Sequence, residues 1–379
     1  MIDTIVVILN RDDFIISEPD KFIPNAKRLI NEPSLSSTKL GFMKCINNPS
    51  KDEKLKYGYL PRQTLIRRSN RMGYTIQLRI EFSAPKILYE NNFDELKSSN
   101  FYELIAELKD KLKTMGVITS EHKLIEANIS SIHYSKNIVL DKYTKCSYIL
   151  NELKKVNLNQ RLDLSSSDYR NYGHAVRYHT NSYEIVFYDK VKDLDRSKIS
   201  EKRCIEKDNW LQLDLFNKNT KHSQVNILRM EIRLNNRRTI LSNLKKINMY
   251  IEPTFQNLFN SRISKGILIH YFNLIWDNWH LDCSQDTKPE DLFMEIEKSK
   301  HYKPTKILHL IGALSLVDSI GFQGLRNLFS SMCDRTWQRT KSEIMGLELE
   351  SISNYRLFQN LSCELEKFES VKKSEIFIN

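Results

Sequence analysis

Four segments of the sequence alternate polar with apolar residues, and their polar positions have side chains suited to chemistry. In the segment YEIVFYDK (183–190), strand geometry would place Tyr188 and Lys190 on one face and Ile185 and Phe187 on the other. Such residue types are unusual on a merely solvated surface. The polar positions of the other three segments are Arg79 and Glu81; Ser131, His133 and Ser135; and Arg229, Glu231 and Arg233.

These residue types meet the needs of attack on a phosphodiester. A tyrosine hydroxyl can act as a covalent nucleophile, but its pKa near 10 means that a base or nearby positive charge must activate it. A divalent metal held by histidine and carboxylates can polarise the phosphate, and arginine or lysine can hold its oxygens.

Each of these residues also has a purely structural interpretation. Tyr188 could pack within a strand, and His133 could be a hydrogen-bonded residue on a sheet face. Glu231 could belong to a cross-strand salt-bridge ladder, and Lys190 could be an exposed charge.

The elements that would position these residues alternate between strands and helices. The pattern predicts strands near 3–9, 74–88, 126–140, 183–191 and 225–238, and helices near 101–115 and 144–156. One polar face on each strand indicates an open sheet with helices on one side only. After the first strand the sequence predicts a polar, loop-rich segment to about residue 56 and then a basic segment over 59–74. A further polar loop is predicted between the second helix and the strand that begins near 183.

Beyond about residue 245 the sequence predicts helices only, near 254–279, 289–299, 304–319, 322–332, 335–347 and 356–372. The predicted fold class is therefore α+β, with an antiparallel sheet domain over residues 1–243 and an all-α domain over 244–379. Within the latter, LVDSIGFQGLRNLF (316–329) predicts two helices joined at a glycine turn, either a packed hairpin or a DNA-binding helix-turn-helix.

Composition narrows the class of protein. The chain has 379 residues and a formal charge of +11, which suggests an acidic polymer such as nucleic acid as partner. The alternative is a basic soluble protein without such a partner.

The six cysteines of the chain are widely separated and form no C-x-x-C pair. The N-terminus lacks signal-peptide features, and the longest apolar stretch, 307–317, is too short for a membrane span. We therefore expect a cytoplasmic protein without membrane association.

Five motifs occur in an order typical of one family. They are MIDTIVV (1–7), IEFSAPKIL followed by NNFDEL (80–96), ISSIHYSKNI (129–138), EIVFYDK (184–190) and LRMEIRLNNRR (228–238). Over most of residues 1–240 the chain resembles the gene II/X family of phage and plasmid replication initiation proteins. The last two motifs are also similar to the Y-D-K and R-x-E-x-R motifs of plasmid rolling-circle initiators, which are related to HUH-type nucleases.

The resemblance implies a nickase and ligase that starts rolling-circle replication. In such proteins a tyrosine attacks one strand of the origin, becomes linked to the 5′ phosphate and frees a 3′ hydroxyl, and the reaction later reverses. By position, Tyr188 is the nucleophile, His133, Glu231 and Glu81 are the metal ligands, and Lys190 assists at the phosphate or the tyrosine. The implied partners are single- and double-stranded origin DNA, a host helicase and polymerase in a bacterial cytoplasm, and further copies of the chain on the origin.

One departure from the family concerns the metal ligands. Related nickases often place two histidines around one hydrophobic residue, whereas Ser131 and Ser135 flank His133 here. Because carboxylates dominate the candidates, we expect Mg²⁺ or Mn²⁺. The residues that could complete the shell are Glu81, Glu184, Asp189, His174 and His179, although Asp189 should point to the opposite face of a regular strand.

Several alternatives remain open at this level. The same chemistry would serve a mobilisation relaxase or a transposase, and a non-catalytic DNA-binding regulator would form no tyrosine adduct. If Tyr188 is not the nucleophile, the next candidates are Tyr183, Tyr178 and Tyr134. The arginines expected to contact DNA phosphates are Arg67, Arg68, Arg71, Arg79, Arg229 and Arg233, with Arg62 as a further basic residue.

Overall fold

The structure is a computed structural model. The structure describes residues 1–31, 42–70, 73–140, 144–155, 174–197, 226–276, 289–300, 302–345, 347, 355–372 and 375. Within them the fold is mixed α+β, as the sequence predicts, and is built on one large antiparallel sheet.

Eight strands form this sheet in the order β3-β4-β5-β1-β7-β10-β9-β8, and each neighbouring pair is antiparallel. Two short strands, β2 and β6, pair separately. The strands are β1 (Ile2–Asn10), β2 (Ile15–Ile16), β3 (Phe42–Asn47), β4 (Arg62–Asn70), β5 (Gly73–Ser83), β6 (Val117–Ile118), β7 (Asn128–Val139), β8 (Ala175–His179), β9 (Tyr183–Asp189) and β10 (Ile227–Leu234).

One face of the sheet is apolar and is packed against helices. The side chains of Leu78, Ile132, Phe187 and Ile232 are among those fully buried there. The helices are α1 (Ala26–Asn31), α2 (Lys51–Tyr57), α3 (Ala84–Tyr89), α4 (Phe101–Thr114), α5 (Glu121–Ile125), α6 (Cys146–Lys155), α7 (Lys190–Ser197), α8 (Arg237–Lys246), α9 (Phe255–Leu258), α10 (Ser261–Trp276), α11 (Pro289–Lys300), α12 (Pro304–Leu328), α13 (Asp334–Met345) and α14 (Tyr355–Lys367).

The five predicted strands and the two predicted N-terminal helices are all present, with corrected ends. The strand predicted over 74–88 stops at Ser83, because Pro85 lies in the first turn of α3 and proline is favoured there. The strand predicted over 183–191 stops at Asp189, and Lys190 begins α7. Strands β3 and β8 lie in segments predicted as polar loops, and β4 lies in the basic stretch, for which no strand is predicted.

The C-terminal helices do not form one separate layer. Residues of α8, α9, α10 and α14 belong to the same hydrophobic cluster as the sheet, while α11, α12 and α13 enclose a second cluster around Ile307 and Leu314. The domain boundary expected at 243/244 thus passes through the first cluster. The glycine turn predicted within 316–329 is wrong, because α12 continues through Gly321 and Gly324.

None of the helices that the described residues form is long and apolar enough to cross a lipid bilayer.

The shared core predicts that sheet and C-terminal helices unfold together. Leu268 of α10 is fully buried in the sheet's cluster, so Leu268→Ala should lower the free energy of unfolding by about 2–5 kcal/mol in a single urea transition. Leu308→Ala is the control: this leucine of α12 is 60% exposed, and we expect a change within about 0.5 kcal/mol. A separate, weakened transition that leaves the sheet's own transition unchanged would instead support an independent domain beginning near 244.

Candidate active site

Strand β10 lies between β7 and β9, and its register sets which polar side chains are neighbours. Arg229 is directly opposite Tyr188 on β9, and Arg233 is opposite Glu184 on β9 and His133 on β7. Directly opposite residues of an antiparallel pair share a face. The predicted polar face is therefore formed, and it carries the expected nucleophile, histidine and arginines.

A bulge in β1 brings an acid that the sequence analysis did not select. Ile2 pairs with Tyr134 and Ile5 with Ile132, so β1 has one residue more than β7 between the two pairs. Such an extra residue re-aims the side chains around it. Here the bulge lets Asp3 turn to the polar face between two core residues.

Asp3, His133 and Glu231 form a group that could hold a metal ion. One ligand atom from each residue lies within 4.8 Å of the other two. Glu231 is buried, whereas Asp3 and His133 are half-buried. Two carboxylates and one imidazole suit a small divalent cation such as Mg²⁺ or Mn²⁺.

Arginines neutralise both carboxylates of the group. Arg233 Nε donates to Glu231 Oε1 at 2.9 Å, and His133 Nδ1 lies 3.4 Å from the same oxygen. Arg229 Nη2 donates to Asp3 Oδ1 at 2.6 Å. Burial would raise the pKa of Glu231, but Arg233, His133 and Arg229 together hold that pKa well below its ordinary value. Glu231 is therefore an ionised carboxylate.

The hydroxyl of Tyr188 is directed at this group. It lies 3.5 Å from Glu231 Oε2, the oxygen that Arg233 does not engage. Burial raises the pKa of Tyr188 well above its ordinary value, Arg229 lowers it, and the charge of Glu231 raises it further. The free protein thus holds Tyr188 as a neutral phenol, and ionisation would need an added positive charge.

Asn92 connects two basic side chains at the base of the site. Lys190, which alternation places on the polar face beside Tyr188, instead begins α7. Lys190 is fully buried, and its Nζ donates to Asn92 Oδ1 at 2.8 Å and lies 5.9 Å from the ring centroid of Tyr188. Arg229 Nη1 donates to the backbone oxygen of Asn92 at 2.8 Å. Burial, then the charge of Arg229, lowers the pKa of Lys190 to about 7.

The segment that carries Asn92 is anchored from the far end of the chain. Glu95 Oε2 accepts from Lys136 Nζ at 2.8 Å and from the backbone N–H of Val371 at 3.0 Å. Glu95 Oε1 accepts from the backbone N–H of Asn137 at 2.5 Å. These bonds fix residues 91–95 beside β7.

The structure does not bring Glu81 into the group. Among the described residues the acids within ligand distance are Asp3 and Glu231, whereas Glu81 lies 3.6 Å from Arg79 in an ion pair whose side chains are about two-fifths exposed. The geometry therefore does not support Glu81 as a metal ligand, and Asp3 is the second carboxylate of the group. An acid at position 3 of a predicted buried strand was the signal available in the sequence.

The predicted phosphate-binding arginines differ in accessibility. Arg67 is predicted to contact DNA phosphates, but its side chain is only 1% exposed. It donates to the carbonyl of Leu29 at 3.1 Å and lies over the ring of Tyr74, 3.9 Å from the ring centroid. Arg68 is exposed on the polar face, and Arg71 lies outside the described residues. Arg229 is also buried, so it supports the site from beneath.

The remaining candidate metal ligands lie outside the group of Asp3, His133 and Glu231. Asp189 lies opposite the buried Leu228, on the face away from the group as predicted, and its Oδ1 accepts from the backbone N–H of Lys192 at 3.0 Å and so caps α7. Glu184 lies between Arg177 and Arg233. His174 and His179 are half-buried and outside the group.

The alternative tyrosines are committed to packing. Tyr134 is fully buried and donates to the carbonyl of Leu258, and buried Tyr178 donates to that of Leu153. The ring of Tyr183 packs on Tyr271 of α10 with 5.0 Å between centroids. Among these four strand tyrosines, the group of possible metal ligands is contacted by Tyr188.

Comparisons of the chain with family models, with curated proteins and with solved structures found no match.

The geometry of the group predicts metal binding. The chain should bind Mn²⁺ in calorimetric titration. Glu231→Gln should weaken that binding at least about tenfold, because even the loss of a residue that only orients a metal ligand typically lowers metal affinity by about that factor. Glu81→Gln is the matched control, since it removes a carboxylate of the same face and should leave the affinity unchanged. Equal losses in both variants would show that Mn²⁺ binds the face only diffusely.

The low pKa of Lys190 predicts a pH-dependent stability. Between pH 7 and 10.5 the unfolded chain binds the lysine proton while the folded chain does not, so this residue makes stability rise with pH over that window. Lys190→Met should therefore stabilise the protein most at pH 7 and below, with a gain that shrinks by up to about 1.4 kcal/mol per pH unit. Urea unfolding at pH 7 and pH 9 would measure this, with exposed Lys192→Met as control. A gain that is the same at both pH values would contradict a neutral buried Lys190.

Proposed function

We propose that the protein nicks and rejoins one strand of DNA at a specific site through a 5′-phosphotyrosine on Tyr188, and so starts rolling-circle replication. The observation that carries this proposal is the position of the Tyr188 hydroxyl, 3.5 Å from Oε2 of a carboxylate that belongs to a potential metal group. A tyrosine placed only for packing has no need of such a neighbour.

The proposed reaction exchanges one phosphoester for another. The Tyr188 oxygen attacks the scissile phosphorus, the bond to the 3′ oxygen breaks, and the 5′ phosphate stays on the tyrosine. The freed 3′ hydroxyl reverses the step when it attacks the phosphotyrosine. Because each step replaces one ester bond with another of similar energy, rejoining needs no cofactor that supplies energy.

The side chains around Tyr188 have separate tasks in this proposal. Asp3, His133 and Glu231 would hold Mg²⁺ or Mn²⁺, which supplies positive charge to the phosphate and to the ionising phenol when bound. Glu231 Oε2 is the acceptor nearest to the phenol proton. Arg229, opposite Tyr188 on the next strand, already opposes the effect of burial on the pKa of the phenol.

The proposed partners and cellular location rest on the sequence resemblance and on the net charge. The proposed partners are single- and double-stranded origin DNA, a host helicase and polymerase, and further copies of the chain on the origin, all in a bacterial cytoplasm. The net charge of +11 and the exposed Arg68 and half-buried Arg79 and Arg233 support an anionic polymer as substrate.

The decisive measurement is a covalent adduct. The chain is incubated with a supercoiled plasmid that carries its own gene and flanking DNA, in the presence of Mn²⁺. We expect nicked circles and a protein–DNA adduct that peptide mapping places on Tyr188. Tyr188→Phe should form neither product.

The matched control is Tyr250→Phe, since Tyr250 is 78% exposed and its change to phenylalanine should leave nicking intact. Glu231→Gln should abolish nicking while DNA binding persists. Nicking by Tyr188→Phe would exclude the proposed nucleophile, and DNA binding without any adduct would favour a non-catalytic regulator. A relaxase would give the same adduct but cleave a transfer origin.

A further inference from the structure

A second cluster of charged side chains lies on the polar face, beyond the potential metal group. Glu184 of β9 accepts from Arg233 Nη1 of β10 at 3.2 Å on Oε2, and its Oε1 accepts from Arg177 Nη2 of β8. The carboxylate thus bridges two guanidinium groups on the strands that flank it. The proposed nickase chemistry uses neither Arg177 nor Glu184.

The three side chains are reachable from solvent. The exposed fractions of the Arg177, Glu184 and Arg233 side chains are 22%, 13% and 31%. Burial would raise the pKa of Glu184, but the hydrogen bond from Arg177 and the charge of Arg233 lower it below the ordinary value, so the bridge is ionic. Arg233 also donates through Nε to Glu231, so two carboxylates balance the two guanidinium groups in the free protein, and displacement of Glu184 would leave one positive charge unbalanced.

One donor of this cluster has no partner among the residues that the structure describes. Arg177 Nε is buried and makes no hydrogen bond with any part of the chain that the structure describes. Buried guanidinium donors are normally satisfied, but Arg229 Nε is unmet as well, so such a donor alone does not mark a ligand site. Arg177 differs because a solvent-reachable carboxylate lies beside it, and displacement of that carboxylate would let another acceptor reach Nε. An oxyanion with more oxygens than a carboxylate would supply it.

We propose that Arg177 and Arg233 form a phosphate subsite for single-stranded DNA, in which Glu184 occupies the place of a backbone phosphate when the protein is free. The inference rests on the proposed function, which makes DNA the anion. Guanidinium groups bind carboxylates and phosphates through the same N–H donors, so a phosphate could take the place of Glu184 between the two arginines.

The position of the cluster agrees with a strand that also reaches the nucleophile. Glu184 and Tyr188 are four residues apart on the same strand and the same face, which is about 13 Å along β9. The space between them is occupied by Glu231 and Val186, directly opposite one another. DNA lying along β9 would thus meet Tyr188 and the subsite in succession.

The test measures binding rather than cleavage. Fluorescein-labelled oligothymidine of about 20 nucleotides is titrated with the full chain in EDTA, by anisotropy, over about 50 to 300 mM salt. Glu184→Gln should bind about three- to tenfold more tightly, because the amide competes less well for the arginines and does not repel phosphate. Glu107→Gln on α4 removes the same charge from an exposed helical position and should have little effect.

Arg177 gives the complementary result. Arg177→Gln should bind more weakly, and the slope of log K against log salt should fall by about 0.7, the value for one phosphate contact on a single strand. Arg177→Lys keeps the charge and should keep the slope while it lowers affinity. Arg238→Gln, an exposed arginine on α8, is the control. Circular dichroism establishes that each variant is folded.

Three outcomes would overturn the subsite: no binding of oligothymidine by the wild type, unchanged affinity in Glu184→Gln, or an unchanged salt slope in folded Arg177→Gln. These failures are distinguishable from failure of the proposed function. A chain that forms the Tyr188 adduct but shows no effect of Glu184→Gln loses the subsite alone. A chain with the predicted binding changes and no adduct loses the chemistry alone.

Discussion

The polar face depends on how one buried charge is accommodated. Arg229 is 1% exposed, and a guanidinium so placed is tolerated only when its charge is balanced and most of its donors are bonded. It bonds to Asp3 on β1, to Ser135 on β7 at 2.9 Å and to the backbone of Asn92. A single side chain from β10 thereby fixes the separation of two strands and one loop. The same charge acts on Tyr188 and Lys190, so the pKa values at the site are coupled to the packing of the sheet.

Alternation along the strands accounts for most of what the sequence could predict. It correctly assigned Tyr183 to the helix-packed face, where its ring meets Tyr271, and Tyr188 to the polar face. It also predicted that Arg229 and Arg233 share that face, and the register confirms it. These assignments could be predicted because side chains alternate between the two faces of any extended segment, whichever strands pair with it.

The features that alternation missed arise from contacts between distant segments. Asp3 reaches the site through a bulge, and a bulge is defined by the register of a neighbouring strand. Arg67 faces the apolar side of β4 because the carbonyl of Leu29 and the ring of Tyr74 receive it, and neither partner is evident from the segment alone. The sequence predicts a glycine turn within 316–329, whereas α12 is continuous there and packs through Leu314 and Leu325. In each case tertiary structure overrides a local preference.

The anchoring of Glu95 by Val371 has a consequence for the order of events during synthesis. The two residues are 276 positions apart, yet their bond fixes the segment that carries Asn92. A ribosome adds on the order of 5–20 residues per second, and domains fold as their segments emerge. The strands can pair well before Val371 leaves the ribosome. The bond from Val371 to Glu95, which fixes the segment that holds Lys190 and Arg229, can form only afterwards. A partly made chain would therefore have a sheet without a completed site, which separates the time of folding from the time at which the protein becomes able to act.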